Sequence, residues 1–451
     1  MPEAVLPRAT AGVPLERIGV ATYDRAGVMA FRLVFAGTAL GAYALGPFPA
    51  QWLTQFFLLG VVGLLMLDRG VPAAPGLGVF AAFVGWAAIV TFGRLMLFPY
   101  GAWMPPLASA PYPIYLALRF LALLTFAAAV TLVYWLLREG HRAALMRYIV
   151  WTGTVCAAAA IYIYFAQVNG WWEPGRTRMG TGGGEQATAF AYAFHRAMGT
   201  FREPSHLAEW LVLPLFASFG WRGRGRYVHT GVMSVAMLLT GSLTGILGIV
   251  AGLAGALVLS NPFRPGALKL ALRLSAALAL AMVLFGFLAV GRGENAADLV
   301  EVITDRVVPI LEGGMGQSNR SSTFEYMAER PLPFVGEGVG NANIRLANSL
   351  GSDISVSFLS LYFNVLSSTG VVGLAMLLAL LALPVAGLAR QRRYRKDPEL
   401  VPLMAAYLGW LVMFTVHSEE MPLVFGVLYG LMAWEAAGRP GAGRRAEVAA
   451  G

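Results

Sequence analysis

Residues 112–137 read YPIYLALRFLALLTFAAAVTLVYWLL, from Tyr112 to Leu137, with Arg119 as the one charge in the run. A helix of about 20 apolar residues spans the roughly 30 Å hydrocarbon layer of a bilayer. A helix is also the economical form for such a run, because lipid offers no partner to open backbone N–H and C=O groups. Ala81–Gly93 and Met233–Leu259 are further uncharged runs, and the three cannot all be hidden in one soluble core. Over 451 residues the chain is 57% hydrophobic and 13% charged, about half the charged fraction of an ordinary soluble domain. The composition predicts an all-α polytopic membrane protein.

The net charge of +9 raises the question of nucleic acid, and its distribution argues against it. Arg138, His141, Arg142 and Arg147 form one group, Arg222, Arg224 and Arg226 a second, and Arg264, Lys269 and Arg273 a third. Arg390, Arg392, Arg393, Arg395 and Lys396 are the densest, and Arg439, Arg444 and Arg445 follow. All lie in short connections between apolar runs, which is the positive-inside pattern of a bacterial inner-membrane protein. The single cysteine, Cys156, sits inside an apolar run and excludes disulfides and a cysteine metal site. The polar first 25 or so residues, with Arg8, Arg17 and Arg25, read as a cytoplasmic lead rather than a cleavable signal.

Threading the apolar runs by that rule predicts about twelve transmembrane helices: Val28–Leu45, Trp52–Leu67, Leu77–Leu97, Ile114–Leu137, Tyr148–Val168, His206–Phe219, Val228–Thr240, Leu243–Leu259, Leu270–Val290, Val356–Leu388 (bent at Gly370 or Gly373), Leu400–Val416 and Met421–Trp434. The expected organisation is a cytoplasmic lead 1–27, five helices in 28–168, a first periplasmic loop 169–205, four helices in 206–290, a large and partly helical periplasmic loop 291–355, three helices in 356–437 and a cytoplasmic tail 438–451. Both termini then lie inside, with every basic group on the cytoplasmic side. The two shortest spans, His206–Phe219 and Val228–Thr240, are expected to be tilted, re-entrant or packed deep in protein. The two halves show no internal repeat. In the large loop, Ala297–Leu311 places Asp298, Glu301 and Asp305 on one helical face and Leu299, Val302, Ile303, Val307 and Ile310 on the other. A short helix is expected over Arg320–Glu329, stopping before Pro331.

Three constellations carry possible chemistry. The first is Phe201-Arg202-Glu203-Pro204-Ser205-His206-Leu207-Ala208-Glu209. Proline is favoured in a first helical turn, so a helix starts here with its amides toward the loop, a setting that favours an anion. Arg202, Ser205, His206 and Glu209 share that mouth, a functional arrangement or an interfacial Arg–Glu pair with snorkelling side chains. The second is Gln317–Ser322 with Arg320, followed by Pro331–Asn341, which includes Glu337 and Asn341. An arginine opening a loop helix can hold phosphate bidentately, and Gly336, Gly338 and Gly340 permit close backbone approach. The third, His417-Ser418-Glu419-Glu420, is a turn on the same side as the two arginines, either converging on them or merely polar. Gly182–Gly184 and Gly336–Gly340 are not nucleotide loops, since no Gly-Lys-Ser/Thr follows. Asn319-Arg320-Ser321 matches the glycosylation triplet, a pattern common by chance. A polar site of arginines, carboxylates and histidine at the bilayer face suits an anionic, lipid-linked ligand. Transport of an anionic lipid or solute, or flipping, is the rival class, but it calls for charge at mid-membrane, where only Arg94 and Arg119 are candidates.

Arg320-Ser-Ser-Thr-Phe-Glu-Tyr-Met-Ala-Glu-Arg-Pro-Leu-Pro-Phe-Val-Gly-Glu-Gly-Val-Gly-Asn341 and Phe358-Leu-Ser-Leu-Tyr-Phe-Asn-Val-Leu-Ser-Ser-Thr-Gly-Val-Val-Gly-Leu-Ala375 resemble the large periplasmic loop and the following helix of the O-antigen ligase and Wzy-type polymerase superfamily of membrane-embedded, GT-C-like glycosyltransferases. Phe201-Arg-Glu-Pro-Ser-His-Leu-Ala208 resembles the Phe-x-Glu-Pro-Ser segment of polysaccharide polymerases, and Leu238-Leu-Thr-Gly-Ser-Leu-Thr-Gly245 the family's Leu-Thr-x-Ser-x-x-Gly. The resemblance covers roughly residues 201–388. It implies a metal-independent enzyme without cofactor, whose donor is a glycan on undecaprenyl diphosphate and whose work is done at the periplasmic face. It implies Arg202 and Arg320 as ligands of the diphosphate. Glu203 or His206 is the candidate base, and the constellations above add Ser205, Glu337, Asn341, His417 and Glu419 as further candidates. A chain-length regulator and a flippase are the implied partners. Ligases resemble one another in a histidine late in the large loop. Residues 291–355 contain none, which favours repeat-unit polymerisation over ligation to lipid A core.

Overall fold

The computed structural model describes residues 15–46, 48–70, 73–107, 110–178, 196–221, 223, 225–260, 323, 326–354, 356–391, 397, 399–417 and 421–440. The chain is 71% helical with almost no strand. In order come α1 (Leu15–Gly37), a small antiparallel pair β1 (Ala44–Leu45) and β2 (Phe48–Pro49), then α2 (Ala50–Arg69), α3 (Leu77–Leu95), α4 (Tyr112–Arg138) and α5 (Arg142–Asn169). They are followed by α6 (Pro204–Gly220), α7 (Arg226–Leu239), α8 (Leu243–Ser260), the short α9 (Asn341–Ser349), α10 (Leu361–Gln391), α11 (Leu400–Met413) and α12 (Leu423–Ala436). Five of these, α2 to α5 and α10, are long and apolar enough to cross a membrane. The expected span Leu270–Val290, the amphipathic helix Ala297–Leu311, Arg320 and Glu419 lie outside the described residues.

One expected span is corrected. Val28–Leu45 reads as a continuous helix, but α1 runs from Leu15 and ends at Gly37. Thr38 Oγ1 caps back onto the Phe35 carbonyl at 2.6 Å, and the Ala42 amide is drawn onto Thr200 O at 3.0 Å. A contact from distant chain thus ends a helix whose composition would have continued it.

The short helices are core elements. In α6 the side chains from Leu207 through Ser218 are buried without interruption, as are most of those in α11 and all but the last of α12. A helix apolar on every side is one surrounded by protein or lipid. Small residues let these helices approach closely. Gly245, Gly248, Gly252 and Gly255 follow one face of α8, and a Cβ on Gly252 would lie 2.3 Å from Ala405 O of α11. Gly426 and Gly430 of α12 do the same against Phe126 O and Val130 O of α4, each at 3.1 Å.

The end of the bundle formed by the start of α5 and the ends of α10 and α12 is closed by ions. Glu435, 1% exposed, sits between Arg142 (3.2 Å) and Arg439 (2.6 Å). Arg142 also reaches Glu399 at 2.8 Å, and Arg439 pairs with Asp397. Burial alone would raise the Asp397 carboxyl, but the Glu399 amide and Arg439 outweigh it and hold it below its usual value. Among the described residues, removing the shared carboxylate leaves Arg142 with Glu399 alone and Arg439 with Asp397 alone, and unties α12 from the start of α5. Glu435→Ala is therefore expected to cost about 2 kcal/mol, less than the 3–5 kcal/mol of a fully buried pair because both arginines are partly exposed. The thermal midpoint of detergent-purified protein measures this, and an unchanged midpoint would show that the cluster does not hold the helix ends.

The long α10 is broken at Gly370 (φ 74°, ψ −173°), in agreement with one of the two glycines read from the sequence. The break strips helical partners from neighbouring backbone groups, and the segment 333–338 supplies new ones. Glu337 N donates to Ser367 O (2.9 Å), Gly338 N to Ser368 O (2.7 Å) and Val371 N to Pro333 O (3.0 Å), while Trp86 Nε1 reaches Thr369 O (2.8 Å). Val339 N then donates to Thr91 Oγ1 of α3 at 2.8 Å.

Candidate functional site

Pro204 occupies the first turn of α6, and Glu203 is its extended N-cap residue (φ −138°, ψ 154°). No side chain caps the first amides. The Glu203 carboxylate instead accepts from Ser205 Oγ at 3.3 Å. One turn into the helix, His206 and Glu209 at spacing i, i+3 share a face. Trp210 beside them donates through Nε1 to Thr38 Oγ1 at 2.8 Å and packs on Phe201, with ring centroids 5.6 Å apart. The mouth of α6 is thereby fixed to the end of α1.

Against this mouth lies a cavity of about 100 Å³ whose polar lining includes Arg178, Arg202, His206, Glu209, Trp410 and His417. Its apolar wall is the start of α12, Pro422 to Val424. Arg178 is held by its backbone and side chain, N to Ala42 O at 3.2 Å and Nη1 to Gly41 O at 3.0 Å. The central feature is a buried pair: His417 Nδ1 lies 2.8 Å from Glu209 Oε2, with the two side chains 5% and 6% exposed. A carboxylate on Nδ1 fixes the imidazole tautomer and leaves Nε2 as an acceptor for a proton. Trp410 Nε1, on the same cavity, is buried and has no hydrogen-bond partner among the described residues. It offers a donor to whatever enters, since a buried polar group left unpaired is costly. The arrangement can therefore receive an anion at the two arginines and a proton at the imidazole.

Of the residues singled out in the sequence, Arg202, His206 and His417 come together here. Glu203 and Ser205 stand at the mouth, bonded to each other and off the cavity lining. Glu337 and Asn341 lie elsewhere, on the glycine-rich segment. Glu337 pairs with Arg345 and accepts from Tyr100 OH at 2.5 Å. Burial and that carboxylate push the Tyr100 phenol well above its usual range, so it stays a donor. Asn341 is wholly buried, accepting from Tyr112 OH at 2.6 Å and donating to Glu337 O at 3.1 Å. Sequence reading missed Arg178, Trp410 and the pairing of Glu209 with His417. Only the i, i+3 spacing of His206 and Glu209 signalled it, because His417 arrives from another helix connection. Among the described residues no group of three His, Cys, Asp or Glu is placed to hold a metal ion. No protein-family model matches the chain, and no curated protein matches it significantly.

Proposed function

We propose that this chain is a membrane-embedded glycosyltransferase, a polysaccharide repeat-unit polymerase of about twelve crossings in the bacterial inner membrane. It would move a glycan from undecaprenyl diphosphate to an acceptor glycan at the periplasmic face. The observation that carries the reading is the convergence of Arg178, Arg202, His206 and the Glu209–His417 pair on one cavity. These are the groups such a transfer requires. The acceptor hydroxyl oxygen attacks the anomeric carbon, and the bond from that carbon to the diphosphate oxygen breaks. The hydroxyl proton passes to His417, whose imidazolium Glu209 stabilises. The charge developing on the lipid diphosphate falls on Arg178, held in place before reaction by its bonds to Gly41 O and Ala42 O, and on Arg202, with Arg320 as the further ligand implied by the resemblance. A cavity of this size receives a diphosphate rather than a repeat unit, so the sugars lie outside it.

The test is turnover of a lipid-diphosphate-linked oligosaccharide by purified protein. Wild type is expected to give a ladder of products, and Arg202→Ala to be slower by about 100-fold. A single transfer, made only when lipid A core is added, would replace polymerase by ligase. Inertness of folded protein toward both acceptors would overturn the transferase reading in favour of transport.

A further inference from the structure

A second cavity, about 450 Å³, touches α10 at Ser367 and is lined by Arg94, Arg330 and Arg345, with Glu337 as the one carboxylate among the described lining residues. This volume is in the range of small-molecule sites, and none of these residues takes part in the chemistry above. Among the described residues three guanidiniums meet a single carboxylate, and that carboxylate is already shared by Arg345 and Tyr100. Arg94 and Arg345 both stand over the Phe98 ring, 5.7 and 5.9 Å from its centroid. Arg330 stacks on Tyr326 at 3.9 Å. Arg94 spends Nε and Nη2 on Gly336 O (2.9 Å) and Val335 O (3.3 Å). A guanidinium carries five N–H donors, so each arginine keeps donors beyond these bonds. Cations gathered round one hollow repel one another unless an anion enters it.

The remaining walls are apolar: Met327, Pro331, Leu332, Pro333, Val335, Ala342 and Phe358 among them. The lip is apolar and exposed as well, with Leu332 75% and neighbouring Phe334 70% accessible. At the end of α3, just beyond Arg94, Met96 and Leu97 are exposed too. An anion site with a greasy rim, beside helices apolar enough to cross a membrane, fits an amphiphile better than a soluble ion.

The geometry points to a binding site for the phosphate headgroup of a membrane-embedded lipid, held by Arg94, Arg330 and Arg345 with its chains passing over Leu332 and Phe334. The headgroup phosphate can belong to an anionic phospholipid or to a polyprenyl diphosphate. Neither source depends on the transferase reading, because this cavity is separate from the Glu209–His417 site.

The experiment is native mass spectrometry of the detergent-purified full chain with four probes: phosphatidylglycerol, a short polyprenyl diphosphate, phosphatidylcholine and inorganic pyrophosphate. Wild type is expected to retain phosphatidylglycerol or the polyprenyl diphosphate, and the one retained names the source. Arg330→Glu and Arg345→Gln are each expected to weaken that retention about tenfold, as loss of a charge-assisted hydrogen bond does. Arg330 is exposed and makes no ion pair among the described residues, so its variant folds even if Arg345→Gln does not. Retention of phosphatidylcholine as strong as that of the anionic lipids, or anionic-lipid retention indifferent to Arg330→Glu, would overturn the site. Inorganic pyrophosphate bound as tightly as either lipid would overturn its assignment to a lipid.

Discussion

Turnover of a lipid-diphosphate-linked oligosaccharide is expected to fall by about 10²–10⁴-fold in His417→Gln, the range a positioned general base contributes. On the cavity His417 combines an imidazole with a fixed carboxylate partner, at 2.8 Å from Glu209. His206 lines the same cavity from α6, so His206→Gln is the internal comparison: if it falls further than His417→Gln, the roles are reversed. Both members of the Glu209–His417 pair are buried, and removing one leaves the other without the hydrogen-bond partner at 2.8 Å. A merely structural pair would therefore also lose activity, through unfolding. Two readouts separate the cases. The thermal midpoint of His417→Gln should stay close enough to wild type for the protein to be folded at the assay temperature. The fall in rate at acid pH, which a protonated imidazole imposes, should vanish in the variant and persist in Arg202→Ala. A wild-type-like pH profile in a folded His417→Gln would remove His417 from the chemistry. Glu209→Gln should move in the same direction, because it removes the charge that stabilises the imidazolium and weakens the tautomer preference.

The helices were legible in the sequence because lipid leaves so few choices. Tyr112–Leu137 and Leu361–Gln391 are too apolar to lie in water, and such runs fold as helices. Their ends were less legible wherever a distant residue decides them, as Thr200 does for α1. The mouth of α6 was readable from Pro204 and from the spacing of His206 and Glu209, which are local signals. His417 is some 200 positions away, and nothing in a His-Ser-Glu-Glu turn announces a partner; the fold of α11 and α12 against α6 supplies it. Two arginines of the expected first outer loop were given no role in the sequence reading, yet both bind loop carbonyls: Arg176 reaches Gly199 O at 3.1 Å and Arg196 reaches Thr240 O at 2.7 Å. A guanidinium offers five donors to a backbone that turns without a helix to satisfy it, and no sequence pattern marks that use. The glycines at 336, 338 and 340 were read as permitting close approach. The close approach is to the protein itself, since a Cβ on Gly336 would lie 2.3 Å from Ser368 C.

That contact fixes the other large effect. Gly370→Ala is expected to destabilise the protein by about 2–6 kcal/mol, from two additive sources. The backbone at Gly370 (φ 74°, ψ −173°) lies in a region essentially closed to other residues, at a cost of about 1–3 kcal/mol. The new Cβ would also meet Phe334 O at 2.2 Å and Gly336 N at 2.9 Å, backbone atoms that cannot rotate aside, and overpacking adds about 1–3 kcal/mol. Relief would require moving the segment 333–338, whose amides satisfy the carbonyls that the break in α10 exposes. Moving it would leave Ser367 O and Ser368 O unpaired in an apolar interior, where lost hydrogen bonds are expensive. The break and the loop therefore stabilise each other and should fail together. Gly85→Ala on α3 is the control, since a Cβ there meets open space and alanine is the better helix former. Thermal midpoints in one detergent at one scan rate compare the variants even if unfolding is irreversible. The expected order is Gly370→Ala far below wild type and Gly85→Ala at or above it. Because the same segment carries the carbonyls that hold Arg94, surviving folded Gly370→Ala should also lose anionic lipid. A Gly370→Ala protein as stable as wild type would mean that α10 can straighten, and that segment 333–338 is not needed to satisfy its backbone.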